Sequence, residues 1–207
     1  MDVRWNIQKS DFTLVKKISK EIGVNEIIAQ LLVLRGITTY DDAKKFFRPQ
    51  ISDLHDPFLL KGMREAVERI ELALKKGEKI LIYGDYDVDG TTSVAMMYNF
   101  LNRFTKNIGY YIPDRYQEGY GVSFKGIDYA QLEEFSLIIA LDCGIRAVKQ
   151  VEYASNKDID FIICDHHKPG VNVPRAISVL NPKQIDCKYP YKELSGCGVG
   201  FKLIQAI

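Results

Sequence analysis

Four short apolar runs, each followed at once by polar side chains, constrain the fold of this chain more than any other feature. They occupy residues 80–83, 137–141, 161–164 and 177–180, and a fifth strand is predicted around 109–112. Helical patterns lie between them, in TSVAMMYNFLNRF, SFKGIDYAQLEEF and AVKQVEYASNK. Short buried strands that alternate with helices are typical of a parallel sheet covered by helices on its faces. We therefore predict an α/β fold.

The part of the chain before the first strand is predicted to be helical. Its clearest signal is an apolar stripe with helical spacing in GMREAVERIELALKKGEK, formed by Met63, Val67, Ile70 and Leu74. We predict a helical N-terminal segment over residues 1–78 that packs on the core, followed by the sheet domain over residues 79–207. The last segment, GVGFKLIQAI, opens a helix and reaches Ile207 without a glycine stop. We therefore expect these residues to be part of a longer protein.

Composition narrows the class of protein. With 207 residues, 46% of them apolar and 27% charged, the chain resembles globular proteins and not disordered or fibrous ones. No apolar run approaches the roughly 20 residues that span a bilayer, and no signal peptide is recognisable, so we expect a cytoplasmic protein without membrane contact. A net charge of +1 indicates no overall attraction to nucleic acid. The four cysteines lack the close spacing of a zinc site or a disulfide framework.

Acidic and histidine side chains follow three of the predicted strands. They are Asp85, Asp87, Asp89, Asp142, Asp165, His166 and His167. Because ligands of open parallel sheets bind beyond the carboxyl ends of the strands, we expect all of these side chains except Asp85 to meet in one site. Such crowded carboxylates repel one another unless cations neutralise them. Oxygen and imidazole ligands suit Mn²⁺ or Mg²⁺, and less well Zn²⁺, so the pattern favours a two-metal hydrolase of phosphoesters.

Each of these features also has a purely structural interpretation. The DYDVDG segment could be a solvated turn or a helix cap, and Asp142 alone could cap a helix. The glycines of SGCGVGFK could serve phosphate binding or close helix packing in equal measure. The loop IPDRYQEGYG could clamp a phosphate through Arg115 and stack bases on Tyr116 and Tyr120, or could simply be a surface loop.

Several motifs together resemble the DHH phosphoesterase superfamily. They are GDYDVDGTTS, LDCGI, CDHH, NPK and LSGCGVGFKL, and the match is greatest for the RecJ-type single-strand-specific exonucleases. The helical lead-in LLVLRGITTYDDAKKFFRP resembles the same family, as does PDRYQEGYG, so that the resemblance covers nearly the whole chain. It implies a DHH-type parallel sheet flanked by helices. It also implies an enzyme that uses Mn²⁺ or Mg²⁺ to degrade single-stranded DNA from the 5′ end in DNA repair and recombination.

The resemblance also implies roles for individual residues. The metal ligands would be Asp87, Asp89, Asp142 and His166, with Asp142 shared between two ions. His167 would bind metal or the scissile phosphate, and Asp165 would orient the histidine pair, which makes these two the catalytic candidates. Asp85 would support the ligands from behind. Contacts to phosphate or DNA are predicted for Arg115, Tyr116, Asn181, Ser195, Gly196 and Gly198, and a helicase or a single-strand-binding protein is the expected protein partner.

The chain departs from this family at its end. RecJ-like proteins carry another metal-binding Asp downstream of the glycine-rich helix, and then a second domain with a GGGH-type phosphate-binding motif. Neither lies within residues 1–207, so we expect this stretch alone to hydrolyse DNA poorly.

Three alternatives remain open from the sequence. Other DHH enzymes that act on short oligonucleotides, cyclic dinucleotides or pyrophosphate share the metal motifs. DVDGTT resembles the D-x-D-G-T motif of haloacid-dehalogenase-like phosphatases, in which Asp87 would be a covalent nucleophile. A non-catalytic scaffold would keep the fold and use it to recruit partners.

Overall fold

The computed structural model describes residues 4–207, which fall into two compact units. The first unit ends at Leu54, and the second covers His55–Ile207. This division differs from the predicted boundary between residues 78 and 79, because Met63, Ala66 and Ile70 of the stripe helix are buried in the same apolar cluster as the sheet. That helix therefore belongs to the second compact unit. A functional domain that begins at residue 79 stays a prediction.

The first unit consists of short helices, as the sequence predicts. They are α1 (Phe12–Ile22), α2 (Glu26–Val33), α3 (Tyr40–Phe47) and a 3₁₀ turn at Ile51–Asp53. Each α-helix begins after a polar residue whose side chain accepts a hydrogen bond from the first turn, namely Asp11, Asn25 and Thr39. Val15, Ile18, Ala29 and Leu32 form the small core of this unit.

The second unit is built on a five-stranded parallel sheet. Its strands are β1 (Ile80–Gly84), β2 (Ile108–Tyr111), β3 (Leu137–Leu141), β4 (Asp160–Cys164) and β5 (Ser178–Leu180). Their order in the sheet is β2-β1-β3-β4-β5, and every neighbouring pair is parallel. The predicted α/β fold is thereby confirmed. In this order the chain reverses direction across the sheet between β1 and β3, which is where open α/β sheets form their ligand crevice.

Helices cover both faces of the sheet. They are α4 (Met63–Lys76), α5 (Val88–Leu101), α6 (Phe124–Leu132), α7 (Val148–Ser155) and α8 (Gly196–Ala206). Residues of α4, α5 and α8 share one apolar cluster with Ile80 and Ile82, whereas residues of α6 and α7 share the other with Leu81 and Tyr83. Because successive strand residues point to opposite faces and helices cover both, β1 and β3 are buried along their whole length. Over residues 4–207, no helix is long and apolar enough to cross a membrane.

An ion-pair network joins the amino ends of the strands. Arg69 of α4 donates from Nε to Asp160 Oδ2 over 2.6 Å and from Nη2 to Glu78 Oε2 over 2.7 Å. Ser136 Oγ also donates to Glu78, over 2.8 Å. Burial alone would raise the pKa of Glu78, but the hydrogen bonds from Ser136 and Arg69 outweigh it and lower that pKa. Two carboxylates at this end of the sheet thus share one guanidinium of the same chain.

Candidate metal centre

The predicted site residues gather at the opposite, carboxyl end of the sheet. Asp85 follows β1, and Asp87 is the N-cap of α5, with its Oδ1 accepting from the Gly90 N–H over 2.9 Å. Asp142 follows β3, and His166 lies two residues beyond the end of β4. The switch between β1 and β3 therefore brings carboxylates from separate parts of the chain to one edge.

Asp142, His166 and His167 form the tightest cluster of metal-type ligands among the described residues. One ligand atom from each of the three lies within 4.8 Å of the other two. Asp142 Oδ1 is 3.2 Å from His166 Nε2, but the contact is not aligned for a hydrogen bond, and this buried oxygen has no hydrogen-bond partner among residues 4–207. A buried acceptor left unsatisfied in the protein is costly unless another group binds it. The arrangement therefore fits a cation at Asp142.

The backbone and the charge of Asp142 both show strain. Its φ is +60°, a left-handed conformation that is uncommon for residues with a side chain. Its side chain is 1% exposed, and burial, together with the nearby carboxylates of Asp89 and Asp87, raises its pKa to about 8. A carboxyl group in this setting gains charge readily only when positive charge is supplied.

Asp165 organises the histidine pair. Its Oδ1 accepts from the backbone N–H groups of His166 and His167, over 2.7 and 3.0 Å, and lies 2.7 Å from His167 Nδ1. Its Oδ2 accepts from the Ile145 N–H over 2.9 Å. Burial would raise the pKa of Asp165, but the hydrogen bonds from His167 and Ile145 lower it, and the same bond to Asp165 raises the pKa of His167. The ring of His167 is thus oriented by a buried carboxylate.

Asp89 is held by the first turn of α8. The Gly196 N–H donates to its Oδ2 and the Cys197 N–H donates to its Oδ1, each over 2.7 Å. Negative charge is stabilised at a helix N-terminus, which carries unpaired N–H groups and the positive end of the helix dipole. The same Oδ2 lies 3.8 Å from His166 Nε2. Asp89 therefore borders the cluster while α8 fixes its orientation.

The glycine that opens α8 is required by close packing. A β-carbon at Gly196 would overlap the carboxylate of Asp142, whereas one at Gly198 would meet the Leu194 side chain at 3.4 Å, an ordinary contact. The Gly198 N–H donates to Ser195 Oγ over 3.0 Å, and the N–H groups of Gly196 and Cys197 donate to Asp89. The N–H groups of the first turn of α8 are therefore already hydrogen-bonded within the protein. A phosphate at Ser195, Gly196 or Gly198 would have to replace these bonds. The geometry therefore favours the packing interpretation of the glycine-rich segment.

The other predicted contact residues differ in their surroundings. Asn181 is fully buried, with Nδ2 donating to the His167 carbonyl and Oδ1 accepting from the Lys183 N–H, so it braces the histidine turn. Arg115 lies over the Tyr86 ring, with 5.4 Å from its guanidinium carbon to the ring centroid. Tyr116 is 93% exposed. Arg115 and Tyr116 thus remain accessible to a ligand, whereas Asn181 does not.

Asp85 stands behind this edge. It is fully buried, its Oδ1 accepts from the Tyr86 N–H over 2.8 Å, and its Oδ2 has no hydrogen-bond partner among residues 4–207. Burial, followed by the charge of Asp87, raises its pKa. Asp85 adds to the negative potential of the site without belonging to the tightest cluster.

The donor set fits a hard divalent cation. The cluster of Asp142, His166 and His167 offers carboxylate oxygen and imidazole nitrogen and no thiolate, which suits Mn²⁺ or Mg²⁺. Sequence reasoning did not identify two of the groups that shape the site, the Ile145 N–H on Asp165 and the first turn of α8 on Asp89. Backbone donors carry no residue signature, and the only available signal was the glycine run itself.

Comparison with known proteins assigns the chain to a family. The family described as "DHH family, N-terminal domain" matches residues 79–207. The single-stranded-DNA-specific exonuclease RecJ of Bacillus subtilis (strain 168) is 43% identical over 205 residues, which is 99% of this chain and 26% of that protein. RecJ of Escherichia coli (strain K12) is 38% identical over 149 residues, covering 72% of this chain and 26% of that protein. The chain thus spans about a quarter of the length of these relatives.

Solved structures agree with the sequence comparison. RecJ of Thermus thermophilus in complex with Mn²⁺ aligns with a TM-score of 0.74 at 26% identity, over 95% of this chain and 27% of that one. An exonuclease RecJ bound to manganese aligns with a TM-score of 0.65 at 34% identity, over 71% and 37% of the two chains. The family match over residues 79–207 replaces the haloacid-dehalogenase alternative, and the chain belongs to the DHH family.

Proposed function

We propose that this chain forms the metal-binding part of an enzyme that hydrolyses single-stranded DNA from its 5′ end, in the manner of RecJ. The observation that carries the proposal is the convergence of Asp142, His166 and His167 at the sheet's switch point, where a buried Asp142 oxygen lacks a partner among the described residues. The similarity to RecJ proteins named as specific for single-stranded DNA supports the choice of substrate.

Four side chains are proposed to hold Mn²⁺ or Mg²⁺. They are Asp142 and His166 of the cluster, together with Asp87 and Asp89 at the start of α5. Bound divalent ions in such sites polarise phosphoryl oxygens and activate water at neutral pH. The chain's own contribution is orientation, since the α8 N-terminus fixes Asp89 and the strained turn fixes Asp142. Manganese is also the metal named with two similar RecJ structures.

His167 is proposed to act on the scissile phosphate. Asp165 accepts from its Nδ1, which orients the ring and raises its pKa. A positively charged imidazole beside the metal ligands would donate from Nε2 to a phosphate oxygen and stabilise its negative charge. Asp165 would act only through His167.

The loop after β2 is proposed to contact the DNA. Arg115, Tyr116 and Tyr120 of this loop are exposed, and the Tyr120 ring lies edge to face with that of Tyr86, which follows β1, at a centroid distance of 6.2 Å. Exposed rings beside a cation are suited to stacking on unpaired bases. A role in DNA repair and recombination in the cytoplasm, with a helicase or a single-strand-binding protein as partner, belongs to the same proposal. So does a functional domain over residues 79–207.

A chimera with a full-length relative tests the proposal, because the chain spans only about a quarter of the RecJ proteins it matches. We would replace the matched 205 residues of Bacillus subtilis RecJ by this chain and supply Mn²⁺ with single-stranded DNA labelled at its 5′ or 3′ end. The expected result is early release of the 5′ label as a mononucleotide, with little digestion of duplex DNA. A chimera carrying Asp142→Asn should be inactive.

Two outcomes would contradict the proposal. Preference for dinucleotides over long single strands would indicate another class of DHH phosphodiesterase. A folded chimera that neither binds Mn²⁺ nor cleaves any phosphodiester would indicate a scaffold.

A further inference from the structure

Tyr120 reaches the histidine pair from a loop on another part of the sheet. Its hydroxyl lies 3.1 Å from His167 Nε2, and the two rings are edge to face with centroids 6.0 Å apart. Gly119 and Gly121 flank it with φ of +80° and +83°, conformations that glycine adopts without strain. The tyrosine therefore sits at the tip of a tight turn directed at His167.

The base of this loop is fixed by polar contacts that are wholly or partly buried. Glu118 Oε2 accepts from Tyr111 Oη over 2.9 Å and from Ser123 Oγ over 2.5 Å. Tyr83 Oη, which lies in the sheet, donates to the Gly121 carbonyl over 3.0 Å. These bonds anchor both ends of the turn and so fix where its tip lies, although the Tyr120 side chain is itself 56% exposed.

The chemistry of the partners defines the direction of the hydrogen bonds. Asp165 accepts three other hydrogen bonds, from the backbone N–H groups of Ile145, His166 and His167. It therefore also faces the His167 ring as an acceptor. The ring proton of a neutral His167 therefore lies on Nδ1, and Nε2 is an acceptor. In this neutral state the Tyr120 hydroxyl, which also faces the Asp85 carboxylate, is the donor to Nε2. In the charged state proposed above, Nε2 instead donates to the hydroxyl oxygen, and the contact is kept.

We propose that Tyr120 is a positioning residue for His167, which holds the ring from Nε2 while Asp165 holds it from Nδ1. A ring held at both nitrogens cannot rotate about its last side-chain bond without breaking one of them. Any ligand that binds Nε2, a cation included, must displace the tyrosine hydroxyl. The catalytic consequence rests on the proposed function, whereas the double hydrogen bond does not.

Nitrogen NMR of the histidine rings tests this inference without metal or DNA. The chain has only three histidines, so their ring signals can be assigned from single His→Gln variants. In Tyr120→Phe, the ¹⁵N signal of His167 Nε2 should move toward that of a free acceptor nitrogen, while Nδ1 keeps its proton. Asp165→Asn should mainly affect Nδ1. The matched control is Tyr110→Phe, which removes an exposed hydroxyl from the edge strand β2.

Two results would overturn the inference, and both differ from a failure of the proposed function. One is an unchanged His167 Nε2 signal in Tyr120→Phe whose thermal unfolding matches that of the wild type. The other needs no variant, because a neutral His167 that carries its proton on Nε2 in the wild type excludes donation by Tyr120. Loss of Mn²⁺ binding or of DNA cleavage in other experiments would change neither of these two NMR results.

Discussion

The two ends of the sheet carry carboxylates in opposite electrostatic states. At the amino ends of the strands, Glu78 and Asp160 share Arg69, and the pKa of Glu78 is lowered. At the carboxyl ends, Asp142 is nearly inaccessible and lies beside other carboxylates, and its pKa is raised to about 8. Acidic residues at a strand end are therefore not informative by themselves. What distinguishes a structural pair from a candidate metal centre is whether the chain supplies the neutralising cation.

Removal of the Arg69 guanidinium from the amino end of the sheet should produce the largest loss of stability. Arg69→Met leaves Glu78 and Asp160 without their partner at a site where Arg69 is 11% exposed. Breaking a buried ion pair from one side costs about 3 kcal/mol, because the remaining charge stays desolvated. The 41% exposure of Asp160 makes this the upper value expected here. Urea unfolding of the metal-free chain measures this cost.

A surface pair provides the control for that experiment. Lys61 and Asp186 are 2.6 Å apart, but half or more of each side chain is exposed. Lys61→Met should cost about 0.5 kcal/mol or less. Equal losses for Arg69→Met and Lys61→Met would remove the contrast between a built network and an ordinary surface pair.

A smaller loss of stability is expected when a methyl group is added to Gly196, at the carboxyl end of the sheet. Gly196→Ala places its β-carbon against the Asp142 carboxylate and disturbs the turn that binds Asp89. Overpacking of this kind costs about 1–3 kcal/mol, and misplaced ligand support weakens metal binding by roughly 10- to 100-fold. Thermal unfolding and Mn²⁺ titration together separate the two effects.

Gly198→Ala is the matched variant on the same helix. Its β-carbon would meet Leu194 at 3.4 Å, and its backbone has an ordinary helical conformation. We expect Mn²⁺ affinity close to that of the wild type. If both alanine variants weaken Mn²⁺ binding equally, the close approach of Gly196 to Asp142 has no special role.

The smallest expected effect is a pH dependence at the amino end. Because the folded pKa of Glu78 lies below its unfolded value, its contribution to stability is present above the unfolded pKa and disappears as the pH falls through the folded pKa. Glu78→Gln should therefore be less stable than the wild type by about 1 kcal/mol at neutral pH. The difference should shrink below about pH 4. A difference that stays constant on acidification would contradict the ion-pair explanation.

Much of the fold is predictable because the central strands β1 and β3 are buried on both faces. Predicted strand limits at 80–83 and 137–141 agree with Ile80–Gly84 and Leu137–Leu141 to within a residue. In a chain where short apolar runs alternate with helical patterns, a continuous apolar run between polar turns has few interpretations other than a buried strand. The division at Leu54 was not predictable, because helical periodicity shows that α4 has a buried face without showing which core receives it.

The candidate site was predictable in its side chains but not in its backbone contacts. The convergence of Asp142, His166 and His167 follows from parallel strands whose carboxyl ends share one edge. The bonds from α8 to Asp89 join residues more than a hundred positions apart in sequence, and they use N–H groups that every residue except proline possesses. Tyr120 resembled a stacking ring in the sequence, and only the folded loop brings its hydroxyl to His167.

The most direct test of a cation at the carboxyl end of the sheet is calorimetric titration of Mn²⁺ into the metal-free chain and its Asp142→Asn variant, with Asp41→Asn as an exposed control. We predict saturable binding by the wild type and by Asp41→Asn, and a loss of affinity of at least about 100-fold in Asp142→Asn. Each protein that binds should also unfold at a higher temperature when Mn²⁺ is present. Equal binding by Asp142→Asn and the wild type, or none by a folded wild type, would contradict the claim that a cation neutralises this end of the sheet.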